Sequence, residues 1–309
     1  MKAYVLYAVG QAFIDKVKPL MEYLIRYSSY DVVLCYSEGT VNFTHIRLKT
    51  IYMDIPYVFD FNVAKHNPSS VRGLYLTTFK PTVCQLVIKN TNYNEFIYMD
   101  LDVLPTPNID NMFDVWSSKC TKYPLLSKFP PNNYYIEGRP LVLDKVLNIL
   151  GISRNRKSVC SLSTCLFFFN RNCLSFLQTW SSLLQSKEYI DAFVKPDQYG
   201  NLEMCQYTDE GGGNALMWLY GYNQHIGPMV WTSRSSCVKY VLTYYKHPTQ
   251  VKLHPDYPQT YVWTPDEHSY PYSGDASVFP VNKNDLIGFH SIKDNDEFDL
   301  GIKYVDELY

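Results

Sequence analysis

The sequence lacks a strong excess of either charge, paired cysteines and long apolar runs, and each absence excludes a class of protein. The formal net charge of the 309 residues is −2, so no broad basic surface for nucleic acid is expected. The eight cysteines include no Cys-x-x-Cys pair. Cys160, Cys165 and Cys173 lie close together, but a zinc site typically has a second paired cluster. Free, mostly buried thiols in a reducing compartment are therefore expected.

No segment reaches the roughly 18 consecutive apolar residues that a membrane helix needs. The apolar stretch at 3–9 ends at Gly10-Gln11, before it reaches the length of a signal-peptide core. We therefore expect a soluble protein, located in the cytoplasm, without a transmembrane segment.

Tyrosine is abundant, with 28 copies. A tyrosine ring has a flat apolar face and a hydroxyl, which suits clefts that bind bases and sugars. A biased genome composition explains the abundance equally well. Residues 228–280 are rich in tyrosine and proline, and we expect irregular structure there.

Apolar periodicity predicts alternating strands and helices in the first third of the chain. Residues 3–9 and 31–36 are typical of buried strands, while 12–27 and 74–89 have apolar residues at helical spacing. This order predicts parallel strands in a Rossmann-like half, with ligand bound over the strand ends. The residues expected to contact a base and ribose there are Tyr7, Ala8, Val9 and Tyr36. For both tyrosines, a structural role at the edge of the core is an equally good interpretation.

Two acidic segments carry the chemistry. In the first, an apolar run at 96–99 predicts a buried strand, and Asp100 and Asp102 follow it at the predicted carboxyl edge of the sheet. Two carboxylates suit Mg²⁺ or Mn²⁺ and thus a diphosphate, although Asp-x-Asp is also common in solvated turns.

In the second acidic segment, 208–221, an acidic pair precedes three glycines and an apolar helix. Such glycines cost about 1 kcal/mol each against alanine, which suggests close backbone approach to a ligand; an acidic helix start is the alternative.

The first acidic segment, Tyr-Asn-Glu-Phe-Ile-Tyr-Met-Asp-Leu-Asp-Val-Leu-Pro, resembles the Asp-x-Asp segment of nucleotide-sugar-dependent glycosyltransferases with the GT-A fold. Phe79-Lys80-Pro81 is similar to the Lys-Pro helix that often precedes it. The resemblance implies an α/β fold with a Rossmann-like mixed central sheet flanked by helices, as one compact domain. It implies a nucleotide-sugar-binding half at 1–115, an acceptor-binding half at 116–309, and donor contacts from Lys80, Asp100 and Leu101.

The second acidic segment resembles the Asp-Glu-x-x-x-Asn pattern of the retaining glycosyltransferases of family six, and family eight has a comparable motif with different spacing. The resemblance implies that Glu210 lies beneath the anomeric carbon and that Asp209 contacts the donor sugar, because an oxocarbenium-like transition state needs a carboxylate. Residues 161–170 predict a loop that enters a strand, at the place where GT-A enzymes have small residues. Ser163 and Thr164 would then hydrogen-bond the donor sugar, although the usual Asn-x-Gly is absent.

A short apolar run near the C-terminus ends at His290, with Lys293 three residues later. In many GT-A enzymes a similar histidine is the third protein ligand of Mn²⁺, and a nearby lysine neutralises the diphosphate. The resemblance thus implies a Mn²⁺ or Mg²⁺ site made of Asp100, Asp102 and His290. In family eight the histidine and lysine are more widely spaced, with glycine between them.

These features together predict a metal-dependent glycosyltransferase that moves a sugar from a UDP-sugar to a glycan or other hydroxyl acceptor with retention. If the enzyme inverts configuration instead, Glu210 or Asp209 would be the base. A sugar nucleotidyltransferase stays possible, although Gly10-Gln11-Ala12 lacks the basic residue of its glycine-rich loop. A non-catalytic carbohydrate-binding protein also stays possible, although it would not need both aspartates and His290.

Overall fold

The predicted alternation of strands and helices near the N-terminus is confirmed in a computed structural model of the chain. The structure describes residues 1–58, 68–128, 146–152, 162–194, 208–220, 229–232, 252–254, 257–263, 286–290 and 295–308. The helices are α1 (Gln11–Tyr27), α2 (Pro68–Thr77), α3 (Lys80–Asn90), α4 (Asn111–Ser117), α5 (Leu174–Leu184), α6 (Lys187–Phe193), α7 (Thr208–Leu219) and α8 (Asn295–Leu308), with 3-10 turns at Pro107–Asp110 and Arg171–Cys173. The strands are β1 (Lys2–Val9), β2 (Asp31–Ser37), β3 (Leu48–Tyr52), β4 (Glu95–Met99), β5 (Leu104–Pro105), β6 (Leu125–Lys128), β7 (Leu162–Asn170), β8 (Met229–Thr232), β9 (Lys252–His254), β10 (Tyr257–Trp263) and β11 (Leu286–His290).

Nine of the strands within these ranges form one mixed sheet, in the order β3-β2-β1-β4-β7-β6-β8-β11-β5. β1 is parallel to β2 and β4, whereas β7 is antiparallel to β4 and β6. The sheet takes strands from both 1–115 and 116–309, so the two parts share one core. The predicted mixed α/β sheet flanked by helices in a single domain is confirmed. Among the described helices, none has the length and apolar character to cross a membrane.

The direction in which successive strands are added to the sheet reverses beside β1. β2 and β3 extend the sheet on one side of β1, while β4 lies on the other. Ligands of open α/β sheets bind outside the carboxyl ends of strands at such a reversal. Leu6 pairs with Met99, so Asp100, which follows β4, lies near the level of Tyr7.

The centre of the sheet is buried on both faces, which explains the apolar run along β7. Phe96 stacks on Phe169 with ring centroids 4.8 Å apart, and Tyr98 stacks on Phe167 at 4.9 Å. Such ring pairs stabilise adjacent strands beyond the burial of their area. At the end of β7, the guanidinium of Arg171 donates to the carbonyl oxygens of Tyr93 (2.7 Å), Ile88 (2.8 Å) and Thr91. These bonds fix the C-terminal end of α3 and thereby the helix that carries Lys80.

Three predictions about secondary structure were wrong in detail. The helix predicted at 74–89 is two helices, because a turn at 78–79 separates α2 from α3. The loop predicted at the start of 161–170 is part of β7 from Leu162 onward. The segment 228–280, predicted to be irregular, contains β8 and the antiparallel pair β9 and β10.

Candidate functional site

The two acidic segments meet at one buried amine. Lys80 begins α3, and its side chain is only 7% exposed. Its Nζ lies 2.7 Å from Oδ2 of Asp100, directly after β4, and 2.6 Å from Oδ2 of Asp209, in the first turn of α7. The sequence predicted all three residues as part of the site, and the structure brings them together. We call Lys80, Asp100 and Asp209 the ion triad.

Mutual attraction keeps the ion triad charged despite its burial. Burial alone would lower the pKa of Lys80, but the charges of Asp100 and Asp209 together raise that pKa above its usual value. Burial alone would raise the pKa of Asp209, but Lys80 and the hydroxyl of Thr164 together lower it. A buried charge is tolerated when it is paired and hydrogen-bonded in this way.

Asp100 is further held by its own strand and by β7. Its Oδ1 accepts a hydrogen bond from the Tyr98 hydroxyl at 2.9 Å, and its backbone N–H donates to the Cys165 carbonyl at 2.7 Å. Leu101 and Asp102 form the turn that follows, and both are partly buried. The carboxylate of Asp100 is therefore fixed in place, at the edge of the sheet where it was predicted.

Ser163 and Thr164 hold the acidic pair of α7. Both lie in β7 and are fully buried. The Ser163 hydroxyl donates to Oε1 of Glu210 at 2.9 Å, and the Thr164 hydroxyl donates to Oδ2 of Asp209. These two hydroxyls orient the carboxylates; the direct contact with a donor sugar that the sequence suggested stays a prediction.

The asparagine of the Asp-Glu-x-x-x-Asn pattern ties α7 to β7. Oδ1 of Asn214 accepts from the Leu162 backbone N–H at 2.8 Å, and its Nδ2 donates to the Leu162 carbonyl at 2.7 Å and to the Glu210 carbonyl at 2.9 Å. A carboxamide can accept from the N–H and donate to the C=O of the same residue, whereas a carboxylate can only accept. Asn214 therefore sets the position of the helix that carries Asp209 and Glu210.

The glycines after Glu210 serve packing between helices. A Cβ on Gly212 would lie 2.6 Å from Cδ2 of Leu184, and one on Gly213 would lie 3.0 Å from Cζ2 of Trp180. Both neighbours belong to α5 and are fully buried. For Gly212 and Gly213, the suggested close approach to a ligand was wrong: the backbone of α7 approaches α5 instead.

Replacing Gly212 with valine should lower the free energy of unfolding by about 1–3 kcal/mol, because the branched side chain overpacks the contact with Leu184. Urea unfolding followed by circular dichroism measures this. Gly73→Ala is the matched control: Gly73 lies in α2 with open space around it, and alanine there should raise stability by about 0.5–1 kcal/mol. A stabilised Gly212→Val protein would contradict the packing role.

The predicted nucleotide residues lie at the carboxyl ends of β1 and β2. Ala8 and Val9 are buried, and Ala8 pairs with Tyr36 on the neighbouring strand. The rings of Tyr36 and Tyr52 pack edge to face, with centroids 5.6 Å apart. The hydroxyl of Tyr7 is buried and has no hydrogen-bond partner among the residues that the structure describes, and burial raises the pKa of Tyr7 well above its usual value. A buried hydroxyl without a partner is costly, and a bound polar group would remove that cost.

The backbone places the C-terminal strand next to the Asp-x-Asp turn. β11 is antiparallel to β5, with Gly288 opposite Pro105 and Phe289 opposite Leu104. β11 ends at His290, one residue after Phe289, and β5 begins two residues after Asp102. The side chains of the described residues contain no group of three or more His, Cys, Asp or Glu that could hold a metal ion, and Lys293 lies outside the described residues. Two carboxylates and an imidazole fit the ligand preferences of Mn²⁺.

Comparisons with known proteins find a likeness among solved structures but not among family models or curated proteins. No protein-family model matches the chain, and no curated protein matches it. Among solved structures, the galactosyltransferase LgtC in complex with donor and acceptor sugar analogs has a TM-score of 0.46 and 10% identity, covering 99% of this chain and 96% of that chain. A likeness at this level shows no family, and nothing about the activity of this chain follows from it.

Glu38, Tyr57 and Arg72 form a cluster that no motif in the sequence indicated. Arg72 in α2 donates to Glu38 and, at 3.0 Å, to the Tyr57 hydroxyl, which itself donates to Glu38. Glu38 has a φ of 54°, uncommon for a residue other than glycine. These residues are distant in sequence, and only the fold brings them beside the end of β2.

Proposed function

We propose that this protein is a GT-A glycosyltransferase that transfers a sugar from a nucleotide sugar, most simply a UDP-sugar, to a glycan or other hydroxyl acceptor. One observation carries the proposal: Lys80 forms ion pairs with both Asp100 and Asp209 at the carboxyl edge of the sheet. These two aspartates come from the two segments that resemble glycosyltransferase motifs. The reversal of strand order beside β1 supports a nucleotide site there.

In this proposal the nucleotide lies over the ends of β1 and β2. Tyr7, Ala8, Val9 and Tyr36 contact the base and ribose, and the Tyr7 hydroxyl, for which the described part of the chain offers no hydrogen-bond partner, gains one there. Lys293 would neutralise the diphosphate as a point charge.

Asp100, Asp102 and His290 would hold Mn²⁺ or Mg²⁺. The register of β11 beside β5 supports this set, as does the partial exposure of Asp102 in its turn. The metal, when bound, would neutralise negative charge on the departing diphosphate. Asp100 also accepts from Lys80 and Tyr98, so the chain itself sets the orientation of this carboxylate.

Glu210 is the proposed carboxylate at the anomeric carbon. Asp209 forms an ion pair with Lys80, whereas Glu210 is only partly buried and accepts a hydrogen bond from Ser163. A negative charge at this position would stabilise or attack an oxocarbenium-like centre, which favours transfer with retention.

The sugar nucleotidyltransferase alternative is disfavoured by the connection after β1. β1 ends at Val9 and α1 begins at Gln11, so a single residue, Gly10, joins them. A basic, glycine-rich loop at this position has no room. A non-catalytic carbohydrate-binding protein would not need both acidic segments to meet at one buried lysine.

Calorimetric titration with UDP, with and without Mn²⁺, tests the proposal. We expect binding that requires Mn²⁺ and weakens at least about 10-fold in Asp102→Asn, the low end of losses at metal sites. Asp114→Asn is the control, since Asp114 is exposed and pairs with Lys2 away from the site. Equal UDP binding without metal would remove the metal site from the proposal, and no nucleotide binding at all would overturn the transferase itself.

A further inference from the structure

Two cysteines outside the candidate site lie against each other in the core. The Sγ atoms of Cys120 and Cys173 are 3.5 Å apart, and both residues are buried, at 3% and 0% exposure. Cys120 follows α4, whereas Cys173 ends the 3-10 turn that leads into α5. A disulfide has an S–S distance of about 2.05 Å, so the sulfur atoms need to approach by only about 1.5 Å.

A single asparagine, Asn170, contacts both cysteines, through the backbone of Cys120 and through the thiol of Cys173. Nδ2 of Asn170 donates to the Cys120 carbonyl at 2.6 Å, and its Oδ1 accepts from the Cys173 thiol at 3.6 Å. The Cys120 N–H donates to the Trp116 carbonyl at 2.9 Å, which fixes the end of α4. With the backbone fixed, rotation of the two side chains is the movement that remains for bringing the sulfur atoms together.

We propose that Cys120 and Cys173 are a modification site at which a peroxide forms a disulfide. The Sγ atom of one cysteine attacks a peroxide oxygen and becomes a sulfenic acid, and the thiol proton joins the displaced hydroxide to leave as one water. The second sulfur then attacks the sulfenic sulfur, the S–S bond forms, and a second water leaves. Two thiols and one H₂O₂ thus give one disulfide and two waters, with two electrons passing from sulfur to oxygen. This inference does not depend on the proposed glycosyltransferase function.

The cross-link would join two parts of the chain that are 53 residues apart in sequence. A disulfide of this span restricts the unfolded chain and stabilises the folded one. It would also fix the start of α5, the helix whose Trp180 and Leu184 pack against the glycines of α7. The site therefore responds to peroxide by becoming more rigid at the helix that supports the acidic pair.

Peptide mapping of the whole protein tests this proposal. Folded wild-type protein is treated with H₂O₂, blocked with N-ethylmaleimide in denaturant, digested and analysed by mass spectrometry. We expect a cross-linked peptide pair containing Cys120 and Cys173, two hydrogens lighter than the separate peptides. We also expect a melting temperature higher by roughly 5 °C that dithiothreitol reverses.

Two variants separate this pair from other buried thiols. Cys120→Ser should lose both the cross-link and the melting shift, while Cys84→Ser, at a buried cysteine of α3, should keep both. Should Cys120→Ser fail to fold, the wild-type peptide map alone decides. Recovery of Cys120 and Cys173 as separate blocked peptides after peroxide, or a cross-link from either one to a different cysteine, would overturn the proposal.

Discussion

Lys80→Met should lower the free energy of unfolding by about 3–5 kcal/mol and abolish UDP binding. The substitution leaves the buried carboxylates of Asp100 and Asp209 without their cation, and removal of one member of a buried ion pair has a cost of this size. Methionine keeps most of the volume, so the loss would come from charge. Urea unfolding at pH 7 measures the stability, and calorimetry measures the binding.

The pH dependence of this loss distinguishes charge from packing. In the wild type the pKa of Asp209 is lowered, so its contribution is present above the unfolded pKa and is lost as pH falls through the folded value. The pKa of Lys80 is raised, so its contribution is present below 10.5 and is lost only as pH rises through the folded value. In Lys80→Met, burial dominates and raises the pKa of Asp209, so acid should stabilise the variant relative to the wild type. The stability difference should therefore shrink between pH 7 and pH 4.

Lys187→Met supplies the control for a lysine whose ion pair is exposed. Lys187 pairs with Asp191 at 2.6 Å, but its side chain is 83% exposed. Exposed pairs of this kind contribute little, so the free energy of unfolding should equal that of the wild type within the error of the measurement. A Lys80→Met protein as stable as the Lys187→Met protein, or a loss independent of pH, would show that the ion triad does not stabilise the fold through its charges.

Glu210→Gln should lower kcat for sugar transfer, or for hydrolysis of the donor, by at least about 100-fold, with UDP affinity unchanged. The amide keeps the shape of the side chain and a hydrogen bond with Ser163, but it removes the charge that stabilises an oxocarbenium-like centre. Initial rates over a set of UDP-sugars measure kcat, and calorimetry measures affinity. Because Asp209 and Lys80 are untouched, stability should change little.

Glu188→Gln is the matched control, since Glu188 is an exposed acid in the first turn of α6. Its kcat should equal that of the wild type. A Glu210→Gln enzyme with normal kcat would place the catalytic carboxylate elsewhere while leaving the nucleotide site intact. Loss of UDP affinity in this variant would instead assign Glu210 to donor binding.

The sequence predicted those parts of the fold that depend on local periodicity. β1, α1, β2 and β4 appear with boundaries within one residue of the apolar runs, because period-2 and period-3.6 patterns decide which faces are buried. Asp100 and Asp209 could be singled out because each lies beside an apolar element and within a recognisable pattern. Lys80 could be found only through resemblance, since a lone lysine before proline carries no local signal of burial.

Other parts depend on contacts between distant segments and could not be predicted. The glycines of α7 carry no sign in the sequence that Leu184 and Trp180 would approach them. Ser163 and Thr164 looked like loop residues because small polar residues favour turns, yet strand pairing with β6 and hydrogen bonds to α7 override that preference. The Glu38, Arg72 and Tyr57 cluster is likewise assembled by the fold alone.

The insertion of β7 beside β4 has a practical consequence for dividing this protein. A fragment ending near residue 115 would contain β1 to β5 but not β7, so one whole edge of β4 would lose its hydrogen-bonding neighbour. That edge carries Phe96, Ile97 and Tyr98, and an exposed apolar edge strand is a template for aggregation. The N-terminal fragment should therefore precipitate when expressed alone. Co-expression with the remaining chain, which carries β7, offers the better route to studying the two parts separately.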